Sequence, residues 1–171
     1  YDFDVHGGHR FRNAMQNVDL SKLLSKLLRH KAIELGVSID ADGWVALADA
    51  VDQINRRELR LMVGNAETLG PHTYTETDVR SAVTVDDKQR FVLSADGGQI
   101  RAAQGHSMPG IGERQGEPLT LSTSPNLAVH GSYSEHAHAI LKQGLSSMGR
   151  HHIHLAKGLL GEKGVVSGMR R

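Results

Sequence analysis

The feature that most constrains the fold is a leucine pattern in the segment VDLSKLLSKLLRHK, residues 18–31. Leucines recur there at spacings of three and four residues, which is the period of one helix face; they are Leu20, Leu23, Leu24, Leu27 and Leu28. Asp19 or Ser21 can cap the start of such a helix. The pattern predicts an amphipathic helix that buries its leucines in a globular core.

The last turn of this helix carries Arg29 and His30. At 100° per residue, Arg29 lies opposite the leucine stripe and His30 lies near its edge, so both side chains can project from an anchored helix. Cations also interact favourably with the carboxyl end of a helix dipole. Position alone therefore favours an ordinary solvated helix end.

Further elements follow before residue 108. The segment DADGWVALADAV predicts a turn at Asp42-Gly43 and then, from Trp44, an apolar anchor leading into a short helix. Thr75 and Asp78 have the spacing of a capping box, so another helix begins there.

The segment RFVLSADGGQIRAAQGHS predicts a β-hairpin with its turn at ADGG. Side chains alternate across a strand, so Arg101 points away from the face that carries Ile100 and Ala102. Helices followed by a hairpin favour a winged-helix unit, a fold that often binds nucleic acid.

The second half of the chain reads differently. Residues 108–126 hold three of the four prolines and predict a linker. Beyond it, LAVHGSY predicts a short strand, SEHAHAILKQGL a helix closed by Gly144, HHIHLA a second strand and VVSGMRR a third.

Composition excludes several classes of protein. A net charge of +1 gives no general cationic field, so anion binding must come from local clusters. The absence of cysteine excludes disulfides and thiolate metal sites. No apolar run is long enough to cross a bilayer, and the first residues lack a secretory signal, so a cytoplasmic or nuclear protein is expected. The sequence starts at Tyr1 without methionine, which suggests a fragment.

Three histidines, His151, His152 and His154, raise the possibility of a metal site in GRHHIHLAKG. On a strand, His152 and His154 would share a face and could bind one metal ion. No H-E-x-x-H pattern or suitably spaced carboxylate completes such a site, so incidental histidines are the favoured interpretation. The G-x-S-x-G and P-loop patterns of hydrolases and nucleotide-binding proteins are also absent.

Several segments together resemble one family, the NAD-dependent tRNA 2′-phosphotransferases. The resemblance rests on SKLLSKLLRH, DGWV, QRF, IRAAQGHS, AVHGSY, ILKQGLSSMGRHHIHLA and GVVSGMR, which run in the family's order. It implies an α+β protein with a winged-helix lobe that binds RNA and a lobe of the ADP-ribosyltransferase fold that binds NAD⁺. The expected division is a tail over 1–18, the winged-helix lobe over 19–107, a linker over 108–126 and the start of the second lobe over 127–171.

The resemblance also implies a reaction. The internal 2′-phosphate that splicing leaves on tRNA attacks NAD⁺ and expels nicotinamide, giving an RNA-2′-phospho-ADP-ribose intermediate. The ribose 2″-hydroxyl then attacks the phosphate, and the products are 2′-hydroxyl RNA and ADP-ribose 1″,2″-cyclic phosphate. Guanidinium groups suit this chemistry because they are permanently charged and bind phosphate oxygens in pairs. The implied partners are NAD⁺ as co-substrate and RNA, with no metal, no membrane and a monomeric protein.

The residues of the family's catalytic tetrad match Arg29, His30, Arg101 and Arg170. The three arginines would orient the 2′-phosphate, and His30 would bind it and assist proton transfer. Five further residues match the family's NAD⁺ side; they are His130, Gly131, Ser132, Arg150 and His154. In this interpretation His152 is a structural neighbour of the NAD⁺ pocket and His151 an incidental position.

The chain departs from the family pattern at Ser132, Ala103 and Ala156, where threonine, asparagine and serine are usual. The family's second lobe also has more strands than 127–171 can supply, so a truncated chain with weak or no activity is expected. Two alternatives stay open: an ADP-ribosyltransferase that modifies another nucleic-acid phosphate or a protein, and an inactive RNA-binding fragment.

Overall fold

A computed structural model describes residues 18–64, 72–113, 120–159, 161–162 and 165 of the chain. The predicted catalytic Arg170 and all but Val165 of the predicted third carboxy-terminal strand lie outside these residues. Within them, every helix is too short or too polar to cross a membrane.

The leucine-patterned segment forms helix α1, as predicted. It is α-helical over residues 18–26 and continues as a π-helical turn over Leu27–Lys31. The wider turn is closed by Ala32, whose N–H donates to the carbonyl of Leu27 five residues earlier at 2.9 Å. All five leucines of the stripe are at most 1% exposed. Because π-helical turns are rare and often occur at functional sites, the position of Arg29 and His30 on this one is notable.

A three-stranded antiparallel sheet packs against α1. Its strands are β1 (Val45–Ala46), β2 (Phe91–Leu93) and β3 (Gln99–Ala102), in the order β1-β3-β2. The β2–β3 hairpin confirms the prediction, since Val92 pairs with Arg101 and Leu93 with Ile100. β1 was not predicted, because two residues carry no detectable alternation.

Three more helices complete the amino-terminal part: α2 (Leu47–Asn55), α3 (Arg57–Val63) and α4 (Glu76–Thr84). The predicted capping box at the start of α4 is confirmed: the Thr75 side chain accepts from the N–H of Asp78, and the Asp78 carboxylate accepts from the N–H of Thr75. α3 was not predicted. It is held by tertiary packing, with Leu59 fully buried.

One hydrophobic core joins α1, the sheet and the other helices. Its buried members beyond the α1 leucines include Val45, Leu47, Ile54, Leu59, Val79, Phe91 and Ile100. Met108 and Ile111 belong to the same core, so its packing extends beyond residue 107.

The carboxy-terminal part is built mainly from loops. A 3₁₀ turn (Ser134–His136) leads into helix α5 (Ala137–Gln143), and Gly144 ends it with a φ of 81°, as predicted. The predicted strands over LAVHGSY and HHIHLA are wrong: the two segments share a single antiparallel bridge between Val129 and Ala156. The apolar residues on either side of His154 are not buried, since Ile153 is 37% exposed and Leu155 is 50% exposed. No alternating face is therefore packed there.

Candidate active site

His30 and Ser107 connect α1 to the segment after β3. The Nδ1 atom of His30 and the hydroxyl of Ser107 share a hydrogen bond of 2.8 Å. The N–H of Ser107 also donates to the carbonyl of Arg29 at 3.0 Å. Burial lowers the pKa of His30, and the positive charges of Lys26, Arg29, Arg150 and Lys31 lower it further. At neutral pH His30 is therefore an uncharged imidazole with a fixed orientation.

Arg29 is half-buried against Gly105 rather than extended into solvent. Gly105 has a φ of +87°, a left-handed conformation that favours glycine, and a Cβ there would lie in ordinary contact with the Arg29 side chain at 3.5 Å. Burial lowers the pKa of Arg29, and the charges of Arg150 and Arg90 add to this effect. Arg29 lies on the π-helical turn and is half-buried there, which differs from the predicted solvated helix end.

Arg101 lies on the sheet face opposite Ile100, as predicted, and stacks on an aromatic ring. Its guanidinium carbon is 4.6 Å from the centroid of the Trp44 ring, and its Nη1 donates to the carbonyl of Asp42 at 3.4 Å. A cation over an indole face is held both by dispersion and by the ring quadrupole. These contacts orient the guanidinium.

His106 is the most buried ionisable group of this region. It is 3% exposed, and its pKa falls to about 4 because of burial and the nearby charge of Arg29. The ring packs against Gly112, where a Cβ would lie only 2.5 Å from the Nδ1 of His106. His106 is therefore neutral and tightly enclosed.

Among the described residues, three buried side-chain nitrogens have no hydrogen-bond partner: Nε of Arg29, Nε of Arg101 and Nε2 of His106. Buried polar groups are nearly always paired, so a concentration of unpaired ones in one region is unusual. The pKa of His106 responds to the charges of both arginines, which places the three side chains close together. The two guanidinium groups give this cluster permanent positive charge, which suits it to an anion.

Histidines of the carboxy-terminal part contact the region of this cluster, since the N–H of His151 donates to the carbonyl of His106. His151 connects the two halves, because its Nε2–H donates to the carbonyl of Met108 at 2.9 Å. The Nδ1–H of His130 donates to the carbonyl of His154 at 3.1 Å. Burial lowers the pKa of His154, and Arg150 and Arg29 contribute. The charge of Arg29, a predicted phosphate-side residue, thus lowers the pKa of His154, a predicted NAD⁺-side residue.

A cavity of about 270 Å³ lies between the segment after β3 and the carboxy-terminal histidines. One wall is the segment after β3, and the other is formed by the histidines; the lining residues are Ala103, Gln104, Gly105, His106, Gly112, His151, His152 and His154. Typical small-molecule pockets occupy about 300–1,000 Å³, so this cavity is slightly smaller than that range.

The remaining predicted residues take different places. Arg150 is exposed, yet its charge acts on Arg29, His30 and His154. Gly131 and Ser132 are exposed beside His130. The structure thus brings Arg29, His30 and Arg101 into one region with Arg150 and His154. Within the described ranges, no three histidine or acidic side chains are placed to hold a metal ion.

Trp44, His106, Ser107 and His151 take part in the site, but the sequence predicted no role for them in it. His106 and Ser107 lie in IRAAQGHS, only five and six residues after Arg101. Their proximity to Arg101 was the available signal. The contacts of Trp44 and His151 join residues that are distant in sequence, so no local pattern predicts them.

The architecture defines a mixed α+β protein in which a cationic cluster adjoins a histidine-lined cavity. Residues 15–171 match the model of the RNA 2′-phosphotransferase, Tpt1 / KptA family. The chain belongs to this family.

Several characterised relatives resemble this chain. It is 41% identical to mouse tRNA 2′-phosphotransferase 1 over 167 residues, which cover 95% of this chain and 61% of the mouse protein. It is 37% identical to yeast tRNA 2′-phosphotransferase over 162 residues, which are 91% of this chain and 65% of the yeast protein. A Pseudomonas syringae protein described as a probable RNA 2′-phosphotransferase is 35% identical over 85% of this chain and 68% of its own length. The chain thus spans about 60% of the mouse protein.

Proposed function

We propose that this protein is a tRNA 2′-phosphotransferase that moves an internal 2′-phosphate from spliced tRNA, or from another RNA, to NAD⁺. The products are RNA with a 2′-hydroxyl, nicotinamide and ADP-ribose 1″,2″-cyclic phosphate. Family membership and the names of the mouse and yeast relatives support the proposal.

The observation that carries the proposal is the connection of Arg29 and His30 to the segment that follows Arg101. Ser107 binds the His30 ring and the Arg29 backbone at once. This brings the two ends of the predicted phosphate site together from distant parts of the sequence. Two guanidinium groups provide permanent charge for a phosphate, and preorganised charge stabilises a phosphoryl-transfer transition state.

His30 acts as a hydrogen-bonding and proton-transferring group in this proposal. Because burial lowers the pKa of His30, its imidazole is neutral at pH 7 and able to accept a proton. Arg170 joins the phosphate site by resemblance alone.

The cavity beside His106 suits the nicotinamide and ribose end of NAD⁺. Imidazole and amide groups provide donors and acceptors at this cavity. Burial lowers the pKa of His106 and of His154, so these two imidazoles are uncharged at pH 7 and do not repel the cationic nicotinamide ring. NAD⁺ supplies an activated ribose carbon when bound. His154 lies in the cavity wall, and the ring of His130 donates to the carbonyl of His154. Gly131 and Ser132 follow His130 in sequence, and Arg150 lies four residues before His154.

The fold supports the same assignment. We propose that the helices and three-stranded sheet over 19–107 form a winged-helix lobe that holds RNA, and that residues from 127 onward begin an ADP-ribosyltransferase-like lobe. The order β1-β3-β2, with the hairpin formed by the last two strands, fits the winged-helix arrangement.

The experiment is incubation of this chain, and of a chain extended to the full length of its relatives, with a 2′-phosphorylated RNA and NAD⁺, followed by mass analysis of the products. The longer chain decides the proposal, because weak or no activity is expected of the shorter one. ADP-ribose cyclic phosphate and 2′-hydroxyl RNA are expected, and Arg101→Ala abolishes both. His154→Ala raises the KM for NAD⁺ more than the KM for RNA, with no response to added divalent metal. ADP-ribosylated RNA that is never resolved would favour an ADP-ribosyltransferase, and RNA binding without NAD⁺ consumption would favour a binding module.

A further inference from the structure

A second and larger groove lies along α1 and ends at His30. It encloses about 850 Å³ and takes its floor from α1, with walls from the ends of α3 and α4 and the start of β2. Its α1 residues run from Val18 to His30, a span of about 18 Å at 1.5 Å per residue. The groove therefore leads directly to the proposed 2′-phosphate site.

Positive charge is arranged along the α1 side of this groove. Lys22 and Lys26 are four residues apart on one face of α1, and His30 is four residues further on. The Lys22 side chain is 57% exposed and pairs with Asp19 at 3.2 Å. Lys26 lies close enough to His30 to lower the pKa of its imidazole. Ser21 and Ser25, each next to one of the lysines in sequence, add hydroxyl groups to the groove.

The opposite wall differs in chemistry. Asp86 and Asp87 follow α4, with Asp86 paired to Arg90 at 2.5 Å. Val85 and Met62 add apolar surface. One wall carries Lys22 and Lys26, and the other carries Asp87 and the Asp86–Arg90 pair. Such a groove suits a strand that presents phosphates on one side and hydroxyl and amino donors on the other.

We propose that this groove holds the single-stranded RNA that flanks the 2′-phosphorylated nucleotide, with Lys22 and Lys26 contacting its backbone phosphates. This inference rests on the proposed function and adds the path of the RNA to it. Single-stranded nucleic acids are commonly held in charged grooves that follow the backbone. The Asp86 and Asp87 wall makes the groove selective against polyanions that lack donors on their other side.

The test compares two substrates that share the same 2′-phosphorylated dinucleotide. One is the dinucleotide alone, and the other carries six further nucleotides, added on the 5′ side in one arm and on the 3′ side in a second arm. The quantity measured is the ratio of kcat/KM for the long substrate to kcat/KM for the dinucleotide. We expect a ratio of about ten or more for one arm in the wild type, and a ratio near one in Lys22→Ala/Lys26→Ala.

The matched control is Arg57→Ala/Lys142→Ala, which removes the same net charge from exposed positions outside both cavities. It should keep the wild-type ratio. Loss of both groove contacts should also reduce the slope of log affinity against log salt by about 1.4, at ~0.7 per phosphate contact. Circular dichroism melting verifies that both double variants are folded.

The possible results separate the RNA-binding role of the groove from the proposed 2′-phosphotransferase function. A wild-type ratio near one in both arms, or an unchanged ratio in the groove variant, overturns this inference while turnover of the dinucleotide keeps the proposed function. Competition by a polyaspartate peptide as effective as that of unphosphorylated RNA overturns the RNA assignment. If neither substrate is converted by a chain of the relatives' full length, the proposed function itself fails, and this inference with it.

Discussion

The imidazole of His30 and the hydroxyl of Ser107 share a hydrogen bond of 2.8 Å across 77 positions of sequence. This bond joins the π-helical turn of α1 to the segment after β3. It fixes the ring of a residue for which both phosphate binding and proton transfer are proposed. The orientation of His30 is therefore set by tertiary structure rather than by its helix alone.

Ser107→Ala should lower kcat by up to about tenfold, because a typical hydrogen bond contributes about 0.5–1.5 kcal/mol and its loss frees the His30 ring. Ser107→Thr keeps the hydroxyl and should retain most of the activity. Ser38→Ala, at an exposed position, serves as the control. Steady-state kinetics on 2′-phosphorylated RNA measures the effect. Equal kcat values for Ser107→Ala and the wild type would contradict this role.

Trp44→Leu should weaken binding of the 2′-phosphate by about two- to fivefold, since stacking on the indole contributes about 0.5–1 kcal/mol at a partly exposed site. Trp44→Phe keeps an aromatic face below Arg101 and should lose less affinity. Titration with 2′-phosphorylated RNA in the absence of NAD⁺ measures the change. A Phe variant as weak as the Leu variant would show that the ring face does not orient Arg101.

Gly112→Ala should displace the His106 ring, because the added Cβ would lie 2.5 Å from its Nδ1. Gly110→Ala is a matched control, since Gly110 has a similar φ of +77° but no atom within 4 Å of the added carbon. Both variants carry the backbone strain, of about 1–2 kcal/mol. Overpacking should make Gly112→Ala less stable than the control by a further ~1–3 kcal/mol in urea unfolding. Equal stabilities would mean that His106 moves aside freely.

Acid should destabilise the protein through His106. Its pKa is about 4 in the folded state against an ordinary value of 6.5, so the unfolded chain binds more protons between these pH values. The free energy of unfolding is therefore undiminished by this group above pH 6.5 and falls as the pH drops towards 4, by about 3 kcal/mol for a shift of this size.

His106→Gln removes this titration and should flatten that part of the pH dependence. His138→Gln, at an exposed position on α5, should leave it as in the wild type. Urea unfolding measured between pH 4 and pH 7.5 distinguishes the two variants. An equally steep fall in His106→Gln would assign the acid sensitivity to other groups.

Local patterns predicted the elements whose stability is local or strongly periodic. The leucine stripe, the Thr75 capping box, the β2–β3 hairpin and the glycine end of α5 all follow from spacing and turn chemistry. β1 and α3 were missed because both are held by tertiary contacts. The strands expected around His130 and His154 were wrong, since alternation in sequence forms a strand only where a partner strand pairs with it.

The candidate site shows the same division. The family resemblance predicted Arg29, His30 and Arg101 as site residues, and this stays a prediction. Strand alternation predicted that Arg101 lies on the face opposite Ile100, which the structure confirms. The half-buried position of Arg29 and the π-helical turn that carries it were not predicted, because no sequence pattern indicates such a turn. The neutral His106 and the stacking of Arg101 on Trp44 come from long-range packing.

We propose that Arg29, His30 and Arg101 together recognise one 2′-phosphate. The most direct measurement is the affinity of the chain for a 2′-phosphorylated RNA dinucleotide relative to the same dinucleotide with a 2′-hydroxyl, without NAD⁺. The ratio should exceed about tenfold in the wild type and approach one in Arg29→Ala and in Arg101→Ala, because each charge-assisted bond contributes about 1.5–3 kcal/mol. Arg80→Ala, which breaks only an exposed pair with Glu76, should keep the wild-type ratio. Equal affinity of the wild type for the two dinucleotides would contradict the account.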